Sequence, residues 1–227
     1  MNPYSVVRDF EKAVGEYTGA PHVVAVNSCS AALLLAVAYH IQRSRWLAME
    51  ADRLAYWERP QVEIPNRTYL SVPMSILHAG GRPTFRDEEW QAAYRLAPLP
   101  VWDSARWFTT GLYKVIQMKQ QAGHQDALGG PMVCTSHHWS KTLGIQQGGC
   151  ILLDDPVADA WLRRARFDGR TEGVAPKDDN ITQVGWHCYL SPEVAAEGLV
   201  RLHFLRKHNA PLPNDEYPDL SQLEIFR

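Results

Sequence analysis

The sequence predicts an α/β fold with a largely parallel sheet. Apolar segments of strand character alternate with helical spacing from His22 to Phe85, the pattern of successive βα units. Two further apolar runs, 132–134 and 150–153, are bounded by Gly and Asp and read as buried strands. At 227 residues, 45% hydrophobic and 21% charged, the chain has a globular composition and enough length for a sizeable core.

Val6, Val7, Phe10, Val14 and Tyr17 fall at i, i+3, i+4 spacing and predict a first helix that stops before Gly19. Residues 22–26 read as a strand. Asn27, Ser28 and Ser30 then supply a capping turn for a helix running on from Ala31. A strand entering a Ser-rich helix start is either a plain N-cap or an anion site where unpaired amides and hydroxyls converge. Helical spacing resumes over 46–57 and stops at Pro60. A strand at 62–64, a helix over 68–78 closed by Gly80 and Gly81, and a strand at 83–85 follow. Residues 87–100 are less regular. A short strand at Val101 and Trp102 delivers Asp103 either to the carboxyl edge of the sheet, where α/β folds place ligands, or into a turn cap with Ser104. The Gln-rich stretch 111–130 reads as a loop with strand character near 113–116. Helices over 157–167 and 192–207, the second begun by Ser191 and Pro192, and an extended tail over 210–227 complete the chain.

Between the strands at 132–134 and 150–153, Lys141 is the one cation in a segment of Ser, Thr, His, Trp and Gln. An amine pinned at a sheet edge is either desolvated and poised for Schiff-base chemistry or a solvated lysine on a hairpin. His137 and His138 are adjacent, and neighbours in an extended segment point to opposite sides, which argues against a metal pair.

The formal charge of -2, from 25 acidic and 23 basic side chains with no basic block, argues against bulk binding to a nucleic-acid backbone. Cysteines at 29, 134, 150 and 188 form no CxxC and read as free thiols in a reducing compartment. The first 17 residues have no apolar signal core, and the most apolar run, 31–38, is too short to span a bilayer. The expectation is a cytoplasmic protein with no membrane segment and no metal.

Five stretches, in order, resemble the DegT/DnrJ/EryC1/StrS sugar aminotransferase family, PLP-dependent enzymes of the aspartate-aminotransferase fold type I. YTGAPHVVAVNSCSAAL at 17–33 is similar to the family's YTGAKHAVAVNSGTAAL. IPNRTYL at 64–70, running on to GGRPTF at 80–85, resembles the segment whose aromatic stacks on the cofactor. VWDSAR at 101–106 resembles EDAAQ or EDAAH, SHHWSK at 136–141 with the Gly pair 148–149 resembles SFHPTK and EGG, and RFDG at 166–169 resembles RNHG.

The resemblance implies a three-layer α/β fold, a mostly parallel mixed sheet with helices on both faces, in reduced form. It implies a pyridoxal 5'-phosphate-binding large domain over 1–209, a tail over 210–227, and no C-terminal small domain. Lys141 would be the Schiff-base lysine and Asp103 the partner of the pyridine nitrogen. Tyr69 would stack on the ring, and Ser28, Cys29, Ser30 and Ser136 would hold the phosphate. The implied activity moves an amino group from an amino-acid donor, glutamate in the first instance, to a keto-sugar or similar nucleotide-linked carbonyl, in a homodimer with shared sites.

The chain also departs from the family pattern. Cys29 replaces a glycine, Gln147 replaces an acidic residue, and Arg106 replaces Gln or His. Arg106 is a fixed cation that could bind the cofactor's ring oxygen or catch a substrate carboxylate or phosphate. Two alternatives stay open: a PLP enzyme of other chemistry, such as decarboxylation, elimination or group transfer on an amino acid or modified nucleotide, and a non-catalytic scaffold.

Overall fold

The structure, a computed structural model, describes residues 4–50, 59–123 and 129–226, without the side chains of 45–50. Six helices and seven strands are present among them: α1 (Ser5–Thr18), β1 (His22–Val26), α2 (Cys29–Glu50), β2 (Gln61–Pro65), α3 (Ser71–His78), β3 (Arg82–Arg86), β4 (Tyr94–Leu96), β5 (Val101–Asp103), α4 (Leu112–Gly123), β6 (Met132–Ser136), β7 (Gly149–Leu153), α5 (Pro156–Ala165) and α6 (Pro192–Phe204). The helical spacing expected over 51–57 lies outside the described residues.

Five strands form one sheet in the order β1-β7-β6-β5-β4, and β2 and β3 pair in parallel beside it. A bridge between Glu63 and Ala97 joins the two, with Glu63 N–H donating to Ala97 O at 2.7 Å and Ala97 N–H to Glu63 O at 3.0 Å. The sheet is mixed. Parallel pairing holds at β5–β6 and β2–β3, while β1–β7, β6–β7 and β4–β5 are antiparallel. Each antiparallel pair in the main sheet involves β7 or β4, and the other strands share one direction. The α/β alternation therefore sets the common direction, and the two short returns without a helical crossover supply the opposed strands.

Alternate side chains of the central strands feed two separate cores. Val24, Val26, Cys134, Ile151 and Leu153 pack with α2, α3 and α5. Val23, Ala25, Val133, Cys150 and Leu152 pack with α1, α4 and α6. This is the period-2 consequence of a sheet covered on both faces, and it gives three layers. Gly19 ends α1 as expected, in the left-handed region at φ 79° with its N–H on Gly15 O at 2.8 Å.

The loop expected over 111–130 is corrected by helix α4. Its buried stripe is narrow, Leu112, Tyr113, Ile116 and Gln120, and one of the four is polar. Gln120 is accommodated because its side chain accepts from Trp102 Nε1 at 3.0 Å and donates to Gly129 O at 3.0 Å. Helix α3 begins at Ser71, three residues later than the spacing implied, which leaves Thr68 and Tyr69 in the preceding loop. The segment 210–226 is extended only to Asp219. It then folds into two 3-10 turns, Leu220–Gln222 and Glu224–Phe226, with Leu220 and Phe226 buried. No helix among the described residues is long and apolar enough to cross a membrane.

Candidate active site

The carboxyl ends of β1, β2, β5 and β6 meet at one edge of the sheet, where unpaired backbone and loop side chains converge. A cavity of about 340 Å³ opens there, lined by Ser28, Cys29, Ser30, Tyr69, Asp103, Arg106, Ser136 and Lys141. All eight residues singled out in the sequence are brought together, from the start of α2 to the connection after β6. Thr68, Trp90, His138, Gln147, Asp215 and Tyr217 also line it. A larger groove of about 810 Å³ lies along α1 and α5. Arg8 and Arg163 there are paired within the protein, with Glu172 at 3.0 Å and Glu11 at 2.7 Å, and none of the eight residues lies in that groove, so the smaller cavity is the better candidate for chemistry.

Asp103 is the buried acid of the cavity. Tyr94 donates its hydroxyl to Oδ2 at 2.7 Å, Ala105 N–H donates to Oδ1 at 2.8 Å, and Thr68 Oγ1 lies 2.5 Å from the Tyr94 hydroxyl. Since Tyr94 commits its proton to Asp103, Thr68 is the donor to Tyr94. Burial pushes the Asp103 carboxyl above the usual range, against the opposing pull of Tyr94, Ala105 and Lys141. A cationic ring nitrogen brought against it would oppose the effect of burial and favour the ionised form.

Lys141 sits on the connection between β6 and β7, which is closed by His137 N–H to Gly148 O and Ile145 N–H to His137 O, both at 2.9 Å. Its own N–H donates to His138 O at 2.7 Å. The side chain is half-buried. Burial, and then the Arg106 guanidinium, hold the amine below the usual lysine range. That shift favours the neutral, nucleophilic form.

At the start of α2, Ser28 Oγ accepts from Ala31 N–H at 3.1 Å, and Ser30 Oγ donates to Ser71 Oγ at 2.7 Å. The amides of Cys29 and Ser30 occupy the first helical turn, where no intrahelical acceptor exists. Gly149 makes this turn possible. A Cβ there would lie 2.7 Å from Cys29 N and from Ser28 C, so a side chain would displace the turn. Glycine is thus required across the sheet from the position where Cys29 replaces the family's glycine.

Arg106 has a side chain only 10% exposed. It does not point free into the cavity. Its Nη1 donates to Asp215 Oδ2 at 2.7 Å, its Nη2 donates to Pro213 O, and its Nε is buried without a partner. Tyr69 is 62% exposed, at the mouth. His137 is a core residue, its ring edge-on to Phe108 at 4.9 Å and to Phe10 at 5.9 Å, and burial lowers it to about 3. Arg166 lies away from the cavity, bonded to Glu11 and to Ala25 O at 2.6 Å. The resemblance at 166–169 therefore marks a fold-supporting ion pair.

Tyr94, Thr68, Trp90, Asp215 and Tyr217 are not singled out by the sequence. Tyr94 stands in a three-residue strand, and Asp215 and Tyr217 in a proline-rich segment, so neither gives a periodic signal. One hint is present: an Asp and a Tyr amid three prolines after 210, more than a polar tail requires.

An acid that could pair with a ring nitrogen, a depressed amine that could meet an aldehyde, and amides with hydroxyls that could hold a phosphate would fit a pyridoxal-phosphate site. Residues 1–97 match the DegT/DnrJ/EryC1/StrS aminotransferase family. The spore coat polysaccharide biosynthesis protein SpsC of Bacillus subtilis (strain 168) is 35% identical over 81 residues, 36% of this chain and 17% of SpsC. Among solved structures, the sugar aminotransferase CalS13 from Micromonospora echinospora superposes with a TM-score of 0.64 at 20% identity, covering 88% of this chain and 60% of CalS13. NtdA from Bacillus subtilis, with bound cofactor PMP, gives 0.62 at 15% identity, covering 88% of this chain and 48% of NtdA. The aminotransferase family match thus covers the phosphate-turn half of the cavity, and the aminotransferase fold extends over most of the chain. The chain spans about 60% of the length of CalS13.

Proposed function

We propose that this protein is a pyridoxal-phosphate-dependent aminotransferase that carries an amino group from an amino-acid donor, glutamate in the first instance, to a keto-sugar or similar nucleotide-linked carbonyl. The observation that carries this reading is the convergence of Lys141, Asp103 and the Ser28–Ser30 turn on one cavity. The similarity to CalS13 and SpsC supports a sugar as the acceptor. Bound pyridoxal phosphate supplies an aldehyde and an electron-withdrawing ring.

The residues of the chain do the rest. Asp103, ordered by Tyr94 and Ala105, holds the charge of a protonated ring nitrogen. The first-turn amides of α2, with Ser28, Ser30 and Ser136, bind the phosphate. Tyr69 offers an aromatic face at the mouth. Lys141 Nζ, with its lowered proton affinity, would hold the group through its aldehyde carbon and, once displaced by the amine of the substrate, would as the free amine take the substrate α-proton and return it.

Tyr69, exposed at the mouth, and Leu70 and Trp139 beside lining residues are large and apolar. We assign them to a homodimer interface that completes the site. The four free cysteines fit a cytoplasmic setting. Residues 1–209 would form the cofactor domain, with the segment beyond them closing the cavity.

Pyridoxal phosphate added to purified protein should give a visible absorption band, with borohydride fixing the label at Lys141 and none in Lys141→Ala. Glutamate should then bleach the band. Protein that takes up no cofactor would overturn the proposal, and cofactor uptake with no response to any amino acid would favour other chemistry at the same site. A monomer at micromolar concentration by light scattering would remove the shared-site reading.

A further inference from the structure

We propose that Arg106 is the docking cation for the carboxylate of the amino-acid substrate, and that Asp215 competes with that carboxylate and sets how readily the site accepts it. The inference rests on the aminotransferase reading above for the identity of the substrate.

Among the described residues lining the cavity, Arg106 and Lys141 are the only lysine or arginine side chains. With Lys141 committed to the cofactor, a substrate carboxylate entering the cavity has one guanidinium to meet. That guanidinium is occupied. Asp215 accepts from Nη1 at 2.7 Å through a single oxygen, and Pro213 O takes Nη2. A carboxylate usually meets arginine through two parallel bonds, so the grip of Asp215 is half of what the fork offers. The Asp215 side chain is 64% exposed, so solvent screens the carboxylate side of the pair and weakens its hold on the buried guanidinium.

The strap that carries Asp215 is fastened on both sides of the cavity. Leu212 N–H donates to Arg106 O and Leu220 N–H to Asn66 O, each at 2.8 Å. Between these points Asn214 Nδ2 donates to Trp90 O at 2.7 Å, and the Tyr217 ring stacks on Trp90 with centroids 6.4 Å apart and planes 16° apart. Asp215 is therefore a tethered competitor at high effective concentration, released from Arg106 without release of the strap. A substrate carboxylate wins by taking two nitrogens where Asp215 takes one. The unpaired, buried Nε of Arg106 is a donor that the strap leaves unused.

The test is a calorimetric titration with glutarate, a dicarboxylate without an amino group, into protein as purified and after loading with pyridoxal phosphate. Glutaramide serves as the uncharged control. Asp215→Asn should bind glutarate roughly fivefold more tightly than the natural sequence, the factor by which a weak exposed pair resists displacement. Arg106→Gln should lose glutarate binding whether or not Asp215 is also replaced. Equal glutarate affinity in Asp215→Asn, or glutarate binding only as tight as glutaramide binding, overturns the inference. Asp215 lies on an exposed strap, so this variant retains the fold and decides the question even if Arg106→Gln does not fold. Failure of cofactor uptake at Lys141 would overturn the aminotransferase reading and leave the glutarate comparison standing. Normal uptake with no Asp215 effect would overturn this inference alone.

Discussion

Two carboxylates are buried against the same sheet, one serving the fold and the other the cavity. Glu11, from α1, is 5% exposed and saturated with partners: Arg166, Arg163 Nη1 at 2.7 Å and Ala25 N–H at 2.9 Å. Burial raises its affinity for a proton, but the two guanidinium groups outweigh burial and the carboxyl ends below its ordinary value. Asp103 is equally buried and is hydrogen-bonded only by a hydroxyl and an amide, with Lys141 pulling more weakly still, so burial wins and its carboxyl ends above. A carboxylate whose charge is fully answered by the protein supports the fold. One left short of positive charge is set up to be answered by a ligand.

The comparison can be broken at four points. The largest expected effect is on the cavity side, where Lys141→Ala should lower amino transfer roughly 10⁴-fold, the upper range for a lost proton-transfer group, measured by coupled assay on folded protein. On the fold side, Glu11→Gln should cost about 3–5 kcal/mol of unfolding free energy in urea titration, because the buried Arg166 loses its near carboxylate and keeps only Glu172 Oε2 at 3.4 Å. A loss under about 1 kcal/mol would mean that the Glu11 cluster is not structural.

Asp103→Asn should show the converse, a fall in activity of roughly 10²–10³-fold with unfolding free energy within about 1 kcal/mol of the natural protein. Tyr94→Phe is the mildest, about 1–1.5 kcal/mol in cofactor affinity for one hydrogen bond removed from Asp103.

Acid should separate the two carboxylates as well. Glu11, depressed in the folded state, contributes stability that is present above its unfolded value of 4.5 and is lost as pH falls through the lower folded value. Asp103, raised in the folded state, contributes stability present below its unfolded value of 3.8 and lost as pH rises through the higher folded value. In Glu11→Gln the acid-side loss should therefore shrink, and in Asp103→Asn stability above that unfolded value should fall less steeply, both read from urea midpoints against pH.

Much of the cavity is legible because its residues sit at strand ends or helix starts, where local pattern and position coincide. Asp103 closes a strand and Ser28 opens a helix, so both can be placed by their neighbours, while Ser136 closes β6 two residues beyond the strand read at 132–134 and is singled out by the family resemblance. The strand β4 cannot be placed this way. Three residues carry no period, and Tyr94 acquires its role only through its pairing with Asp103 across the sheet. Helix α4 is hidden for a different reason: its buried stripe uses Gln120, whose polarity is offset by bonds to Trp102 and Gly129. Asp215 stands 109 positions beyond Arg106, a separation at which no local rule operates. The family resemblance marks Arg106 as a cation of the proposed cofactor site, and nothing in the sequence marks its strap partner.

Gly149 ties the cavity to the edge of the sheet. As the first residue of β7 it pairs with Val26, the last residue of β1, while its bare Cα admits the turn at Ser28. β1 is an outer strand. Opening that strand by local fluctuation would therefore dismantle the proposed phosphate seat, and a ligand held there must draw part of its binding energy into keeping the edge zipped. The amides of residues 22–26 become a reporter of occupancy: their exchange should slow when the seat is filled, though none of them touches what fills it.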